Sequence, residues 1–170
     1  PEEINRVLPD ALADYRFTPS KDADENLRRE GAPEERIFRV GNVMVDTLRR
    51  YEAVARARNV LARFGVDRGR YIVCTLHRPS NVDDAATFRT IIRVLETLQA
   101  ERPIIFPLHP RTRKQLDAFG LADALRTKRN LRAIEPLGYL DFLGLLAEAS
   151  LVLTDSGGVQ EETTVLGVPC

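Results

Sequence analysis

Four short apolar runs dominate the sequence from residue 71 onwards: Tyr71–Leu76, Pro103–Leu108, Leu131–Ile134 and Leu151–Thr154. Each is separated from the next by residues of helical or turn-like character. Between the first two, Phe88, Ile91, Ile92, Leu95 and Leu98 recur at i, i+3, i+4, i+7 spacing, which predicts an amphipathic helix over about 85–100. Asp83 and Asp84 stand where an N-cap is wanted. Residues 112–119 and 121–127 read as helical or turn-like, Leu140–Ala149 and Gly158–Leu166 as helices. Strands that are continuously apolar, not alternating, belong to parallel sheets covered on both faces. The expectation is an α/β fold with a doubly wound parallel sheet.

Upstream the pattern is looser. Ile4, Leu8 and Leu12 predict a helix over about 2–13. A short extended piece at Tyr15–Thr18 leads into a helix over about 20–30, closed by Gly31. Arg36–Val40 reads as a strand. From Val43 one long helix is expected to reach about Phe64, with Met44, Leu48, Tyr51 and Ala55 on one face and Gly65 ending it.

Composition narrows the function. Among 170 residues, Lys plus Arg and Asp plus Glu each number 25, so the formal charge is zero. A net basic footprint for nucleic acid is missing, and so is a polybasic membrane clamp. No apolar run approaches the ~18 residues of a membrane-spanning helix. The two cysteines make no CxxC pair; Cys74 lies in an apolar run and reads as a small core residue. The two histidines, His77 and His109, form no HExxH or Cys/His cluster, so a protein-ligated metal is not expected. The expected setting is reduced and cytoplasmic.

In doubly wound sheets, ligands bind outside the carboxyl ends of the strands. Both histidines fall there, in Thr75-Leu76-His77-Arg78-Pro79-Ser80-Asn81 and Leu108-His109-Pro110-Arg111. A third such segment is Thr154-Asp155-Ser156-Gly157-Gly158-Val159-Gln160-Glu161-Glu162. Ser156-Gly157-Gly158 opens a helix directly after a strand. Backbone N–H groups at such a start bind phosphate, and glycines permit close approach and positive φ. The same residues also suit an ordinary strand–helix turn with a Ser cap. Glu162, about one turn beyond Gly158, is placed for a ribose diol. His77 is a candidate acid or phosphate ligand, or closes its strand by a local hydrogen bond. Arg78 can neutralise a diphosphate. His109-Pro110-Arg111 either joins the site or only directs the chain. Asp-Ser-Gly-Gly also surrounds the nucleophile of chymotrypsin-like proteases. The α/β pattern, the scarcity of cysteine and Thr154 in place of a glycine exclude that reading, and no GxSxG elbow is present.

Taken in order, Pro1-Glu2-Glu3-Ile4-Asn5-Arg6, Val40-Gly41-Asn42, Thr75-Leu76-His77-Arg78, Pro107-Leu108-His109-Pro110-Arg111 and Asp155-Ser156-Gly157-Gly158-Val159-Gln160-Glu161-Glu162 resemble the non-hydrolysing UDP-N-acetylglucosamine 2-epimerases. The resemblance implies a Rossmann-like, two-domain GT-B architecture. Residues 1–41 are then the tail of the first domain, and 42–170 most of the UDP-binding second domain. It implies interconversion of UDP-GlcNAc and UDP-ManNAc through loss and re-addition of UDP, with no metal or nicotinamide, by a homodimer. Glu2 and Arg6 match residues of the family's active site, and His77 its histidine near the diphosphate. Ser156, Gly157 and Gly158 match the diphosphate-binding turn, Glu162 the ribose carboxylate and Phe142 the uridine region.

One departure is local: Ser80 stands where the family often has Glu. Another is larger, since the Gly-rich first loop and further acidic residues of the family's first half lie outside these 170 residues. The isolated chain is therefore expected to be inactive. Two other functions fit the nucleotide half: a GT-B glycosyltransferase, and a module that binds a UDP-sugar without turning it over. Pro1-Glu2-Glu3-Ile4-Asn5-Arg6 favours the epimerase.

Overall fold

The structure, a computed structural model, describes residues 2–170, without the side chains of Glu2 and Arg126. The chain divides into two compact units, residues 1–47 and 48–170. The first contains α1 (Glu2–Leu12), β1 (Arg16–Thr18), α2 (Lys21–Arg29), a 3-10 turn (Glu34–Arg36), β2 (Ile37–Arg39) and the start of α3 (Val43–Ala57). Its two strands are parallel, with Phe17 opposite Phe38. Thr18, buried at the end of β1, donates its hydroxyl hydrogen to the buried Asp24 carboxylate of α2. Leu27 packs inward from the same helix, while Ile4, Leu8 and Leu12 of α1 are exposed.

The second unit continues with α4 (Val60–Phe64), β3 (Ile72–Thr75), α5 (Pro79–Val82), α6 (Ala85–Leu98), β4 (Ile104–Pro107), α7 (Pro110–Ala118), α8 (Ala122–Arg126), β5 (Leu131–Ile134), α9 (Tyr139–Ala147), β6 (Leu151–Thr154) and α10 (Gly157–Leu166). The four strands β3–β6 form one parallel sheet in the order β5-β4-β3-β6. Side chains alternate across it with the strand period of two. Ile72, Cys74, Ile104 and Phe106 face a core completed by Phe88, Ile92 and Leu95 of α6, Leu116 of α7 and Leu125 of α8. Tyr71, Val73, Ile105 and Val152 face the opposite layer, against Val60 of α4 and Leu145 and Leu146 of α9. Both faces are covered, as the continuous apolar runs require, and the doubly wound α/β architecture is the one observed.

The helix expected over 43–64 is two helices. Arg58 and Asn59 interrupt it, and Asn59 adopts the left-handed conformation at φ 51°. Asn tolerates that conformation better than most residues because its short polar side chain bonds locally. The break lets α9 come close: a Cβ placed on Gly144 would lie 2.8 Å from the Ala55 carbonyl oxygen and 3.2 Å from Val60 Cγ1. Leu48 and Ala55 of α3 are buried against Leu143 of α9, whereas Met44 and Tyr51 stay exposed. The face that packs is thus narrower than the apolar spacing of α3 suggests.

Asp84 caps α6 by accepting from the Thr87 N–H at 2.8 Å. Asp83 does not cap. It accepts from Arg111 Nε at 3.0 Å and Gln115 Nε2 at 2.9 Å, joining the segment after β3 to α7. Those two donors hold its carboxyl down at about 2, against the opposing effect of desolvation. The short α5, with Pro79 at its first position, was not foreseen, because four residues carry too little periodicity to register.

Candidate functional site

From β3 the chain moves outward through β4 to β5, then returns to place β6 on the other side of β3. The crevice between the carboxyl ends of β3 and β6 is therefore the topological switch point, where open α/β sheets take ligands. The register pairs Thr75 with Thr154, which brings the segments beginning at Leu76 and Asp155 side by side.

A cleft of about 340 Å³ opens there, within the range of small-ligand sites. His77, His109, Leu137, Phe142, Ser156 and Val159 line it. The structure thus brings together four residues singled out from the sequence: His77, His109 and Ser156 from three strand–helix connections, and Phe142 from the first turn of α9. A larger groove of about 730 Å³ runs along β6 and α6, past Thr90, Ile91, Val94 and Leu153. It follows the sheet edge, where the Val152 N–H already donates to the Pro169 carbonyl; Asn81, Asp155 and Gln160 reach its wall, but neither histidine, nor Phe142, nor Ser156 does.

Ser156 is the N-cap of α10: its Oγ accepts from the Val159 N–H at 3.5 Å, and its own N–H donates to Thr154 Oγ1 at 3.0 Å. Gly157 is exposed, with nothing within 4 Å of where a Cβ would stand. Neither Gly157 nor Gly158 has positive φ. Contrary to the sequence expectation, neither glycine is used for an unusual backbone conformation, and Gly157 leaves the helix start open. The unpaired N–H groups and dipole of a helix N-terminus suit an anion at this position.

His77 directs Nδ1 at Asp155 Oδ1, 2.8 Å away, and its ring is 5.5 Å from that of His109. His109 caps α7, its Nδ1 accepting from the Arg111 N–H at 3.2 Å. It therefore both directs the chain and lines the cleft. Arg78 Nε donates to the Asp155 carbonyl at 2.7 Å, which sets the guanidinium beside the end of β6. Phe142 packs one edge against the second core layer.

Glu162, on α10, is buried with 8% exposure. Burial pushes its carboxyl above the ordinary range, and a hydrogen bond from the Tyr139 hydroxyl only partly offsets that. Tyr139 opens α9, three residues before Phe142. Arg6 belongs to the first unit, where Glu3, Asp10 and Glu30 surround it at 2.7, 3.1 and 2.6 Å. The Glu2 side chain lies outside the described residues.

Asp155 carries no role in the sequence reading, although its segment was singled out. A carboxylate directly after one strand and a histidine directly after another was the available signal. Whether those strands are neighbours is decided by sheet order. Among the described residues, no group of three or more His, Cys, Asp or Glu is placed to hold a metal, and no helix is long and apolar enough to cross a membrane.

The family model for UDP-N-acetylglucosamine 2-epimerase matches residues 1–170. A UDP-N-acetylglucosamine 2-epimerase of Methanocaldococcus jannaschii is 46% identical over all of this chain and 48% of its own length. A UDP-2,3-diacetamido-2,3-dideoxy-D-glucuronate 2-epimerase of Pseudomonas aeruginosa is 39% identical over all of this chain and 46% of its own. The crystal structure of the M. jannaschii UDP-GlcNAc 2-epimerase in complex with UDP-GlcNAc and UDP superposes with a TM-score of 0.86 at 44% identity. That match covers 99% of this chain and 48% of the other. The chain spans about half the length of the curated relatives it matches. With the whole described chain inside the family match, and the cleft where a nucleotide-binding sheet places it, the chain belongs to the UDP-N-acetylglucosamine 2-epimerase family.

Proposed function

We propose that this chain is the nucleotide-binding half, with the tail of the preceding domain, of a UDP-GlcNAc 2-epimerase. Residues 1–41 complete the first domain and 42–170 form most of the second. The enzyme interconverts UDP-GlcNAc and UDP-ManNAc as a cytoplasmic homodimer. The observation that carries this reading is the convergence of His77, Phe142 and Ser156 on one cleft at the β3/β6 switch point. It is supported by likeness to an enzyme crystallised with UDP-GlcNAc and UDP.

A base removes the C2 proton. The C–H electron pair forms a C1=C2 bond, the C1–O bond breaks, and its pair leaves on the β-phosphate of UDP. Re-addition of UDP with protonation of the opposite face of C2 completes the inversion. Glu2 and Arg6 serve the C2 proton and its surroundings. The N–H groups opening α10 and the Arg78 guanidinium take up phosphate charge, which lowers the barrier to UDP departure. His77 stands at the leaving oxygen, Phe142 contacts the uracil, and Glu162 binds the ribose hydroxyls.

Full-length protein incubated with UDP-GlcNAc in D2O is expected to yield UDP-ManNAc carrying deuterium at C2. Absence of both products overturns the reading. UDP release only with an added acceptor marks a glycosyltransferase, and UDP binding without turnover a sensor module. Deuteration of UDP-2,3-diacetamido-2,3-dideoxy-glucuronate in preference to UDP-GlcNAc would shift the substrate to that of the P. aeruginosa relative.

A further inference from the structure

We propose that Asp155 is the positioning residue for His77: it binds the ring at Nδ1 and leaves Nε2 as the nitrogen presented to the substrate. This inference rests on the role given to His77 above. The Asp155 side chain is 6% exposed and surrounded by donors. Oδ2 accepts from the His77 N–H at 3.0 Å, the Arg78 N–H at 2.9 Å and Asn81 Nδ2 at 3.0 Å. Oδ1 accepts from His77 Nδ1 at 2.8 Å and, more weakly, from the His77 N–H at 3.1 Å. A carboxylate needed only to tie down the 77–81 segment would meet all three loop donors through Oδ2. The contact to the ring is additional, and it is the shortest one that Oδ1 makes.

Burial raises the Asp155 carboxyl, but the Arg78, Asn81 and His77 donors outweigh it and hold the group below the ordinary range. The side chain is therefore ionised at neutral pH and only accepts. Nδ1 must carry the hydrogen, and a neutral ring then keeps its lone pair on Nε2. His109 shows the opposite arrangement, its Nδ1 accepting from a backbone N–H. The two rings that line the cleft thus hold different tautomers when neutral, each set by its own partner. Because the Asp155 carbonyl also receives Arg78 Nε, one residue after β6 orients both His77 and Arg78 after β3.

The test uses the full-length enzyme. Long-range 1H–15N NMR of the wild type is expected to show neutral His77 protonated at Nδ1; a ring protonated at Nε2 overturns the inference without any variant. In Asp155→Asn the amide oxygen stays under the three loop donors and the NH2 faces Nδ1, which drives the proton to Nε2. That variant is expected to lose about 10²–10⁴-fold in kcat, with KM for UDP-GlcNAc changed less than about threefold and the melting temperature retained. A folded Asp155→Asn enzyme with normal kcat, or with only KM raised, overturns the positioning role while leaving the proposed function standing. Full turnover in His77→Ala overturns the role of His77 itself. If Asp155→Asn does not fold, the wild-type tautomer decides.

Discussion

Thr75 and Thr154 face each other across β3 and β6 with their hydroxyl oxygens 2.6 Å apart, directly beneath the cleft. Thr154 also accepts the N–H of Ser156, the residue that caps α10. This pair joins the strand register to the start of α10. Thr154→Val keeps the side-chain shape and removes both bonds, leaving the Ser156 N–H without its acceptor. The expected cost is about 1–3 kcal/mol in denaturant unfolding, whereas Thr75→Val, which orphans no backbone donor, costs about 0.5–1.5 kcal/mol. Equal losses would contradict the coupling to Ser156.

Two glycines carry opposite expectations. Gly144→Ala places a methyl against the Ala55 backbone carbonyl and Val60. A better helix propensity of about 1 kcal/mol cannot offset such overpacking, so net destabilisation of about 1–3 kcal/mol is expected, with UDP affinity preserved. Gly157→Ala meets nothing in the fold and should leave stability within about 0.5 kcal/mol. Its methyl occupies the approach to the helix start, so calorimetric UDP affinity should fall. Normal affinity in Gly157→Ala would separate the glycine from the phosphate.

Glu162 is expected to oppose stability with rising pH. Its folded pKa is raised by burial above 4.5, the ordinary value for glutamate. The folded state therefore holds the proton more tightly than the unfolded chain. Stability is greatest below that ordinary value and declines as pH rises through the raised one. Glu162→Gln removes the buried charge and keeps an acceptor for Tyr139. Its melting temperature should exceed that of the wild type near neutral pH and converge with it below about pH 4.5. UDP affinity should fall roughly tenfold as a charged acceptor is lost from the ribose. A less stable Glu162→Gln protein at neutral pH would show that the carboxylate is favourably placed, and unchanged affinity would remove it from the ribose.

His77→Ala and Glu2→Gln in the full-length enzyme are each expected to lower turnover by about 10²–10⁴-fold while the protein melts normally. C2 deuterium exchange separates their roles. Glu2→Gln should slow exchange and epimerisation together if Glu2 handles the C2 proton. An unchanged epimerisation rate in either variant would remove that residue from the reaction.

The sheet and its helices were legible because their signals are local. Buried parallel strands need unbroken apolar runs, and α6 shows its packed face, Phe88, Ile92 and Leu95, in spacing alone. The break at Asn59 was not legible, since it answers to the close approach of Gly144 from a helix about eighty residues away. Asp83 and Asp84 look alike as caps, and only the position of Arg111 assigns Asp83 to α7.

By itself, then, the sequence determined the fold class, the three strand-end segments and, through their order, the family. Periodicity, turn chemistry and linear spacing act over a few residues and survive in the string. Sheet order does not. Placing β6 beside β3, rather than beside β5, was left to tertiary packing, because two apolar strands of similar length carry no label for their neighbours. That choice set Asp155 against His77, put Phe142 and Ser156 on the same cleft, and turned separate residues into one site.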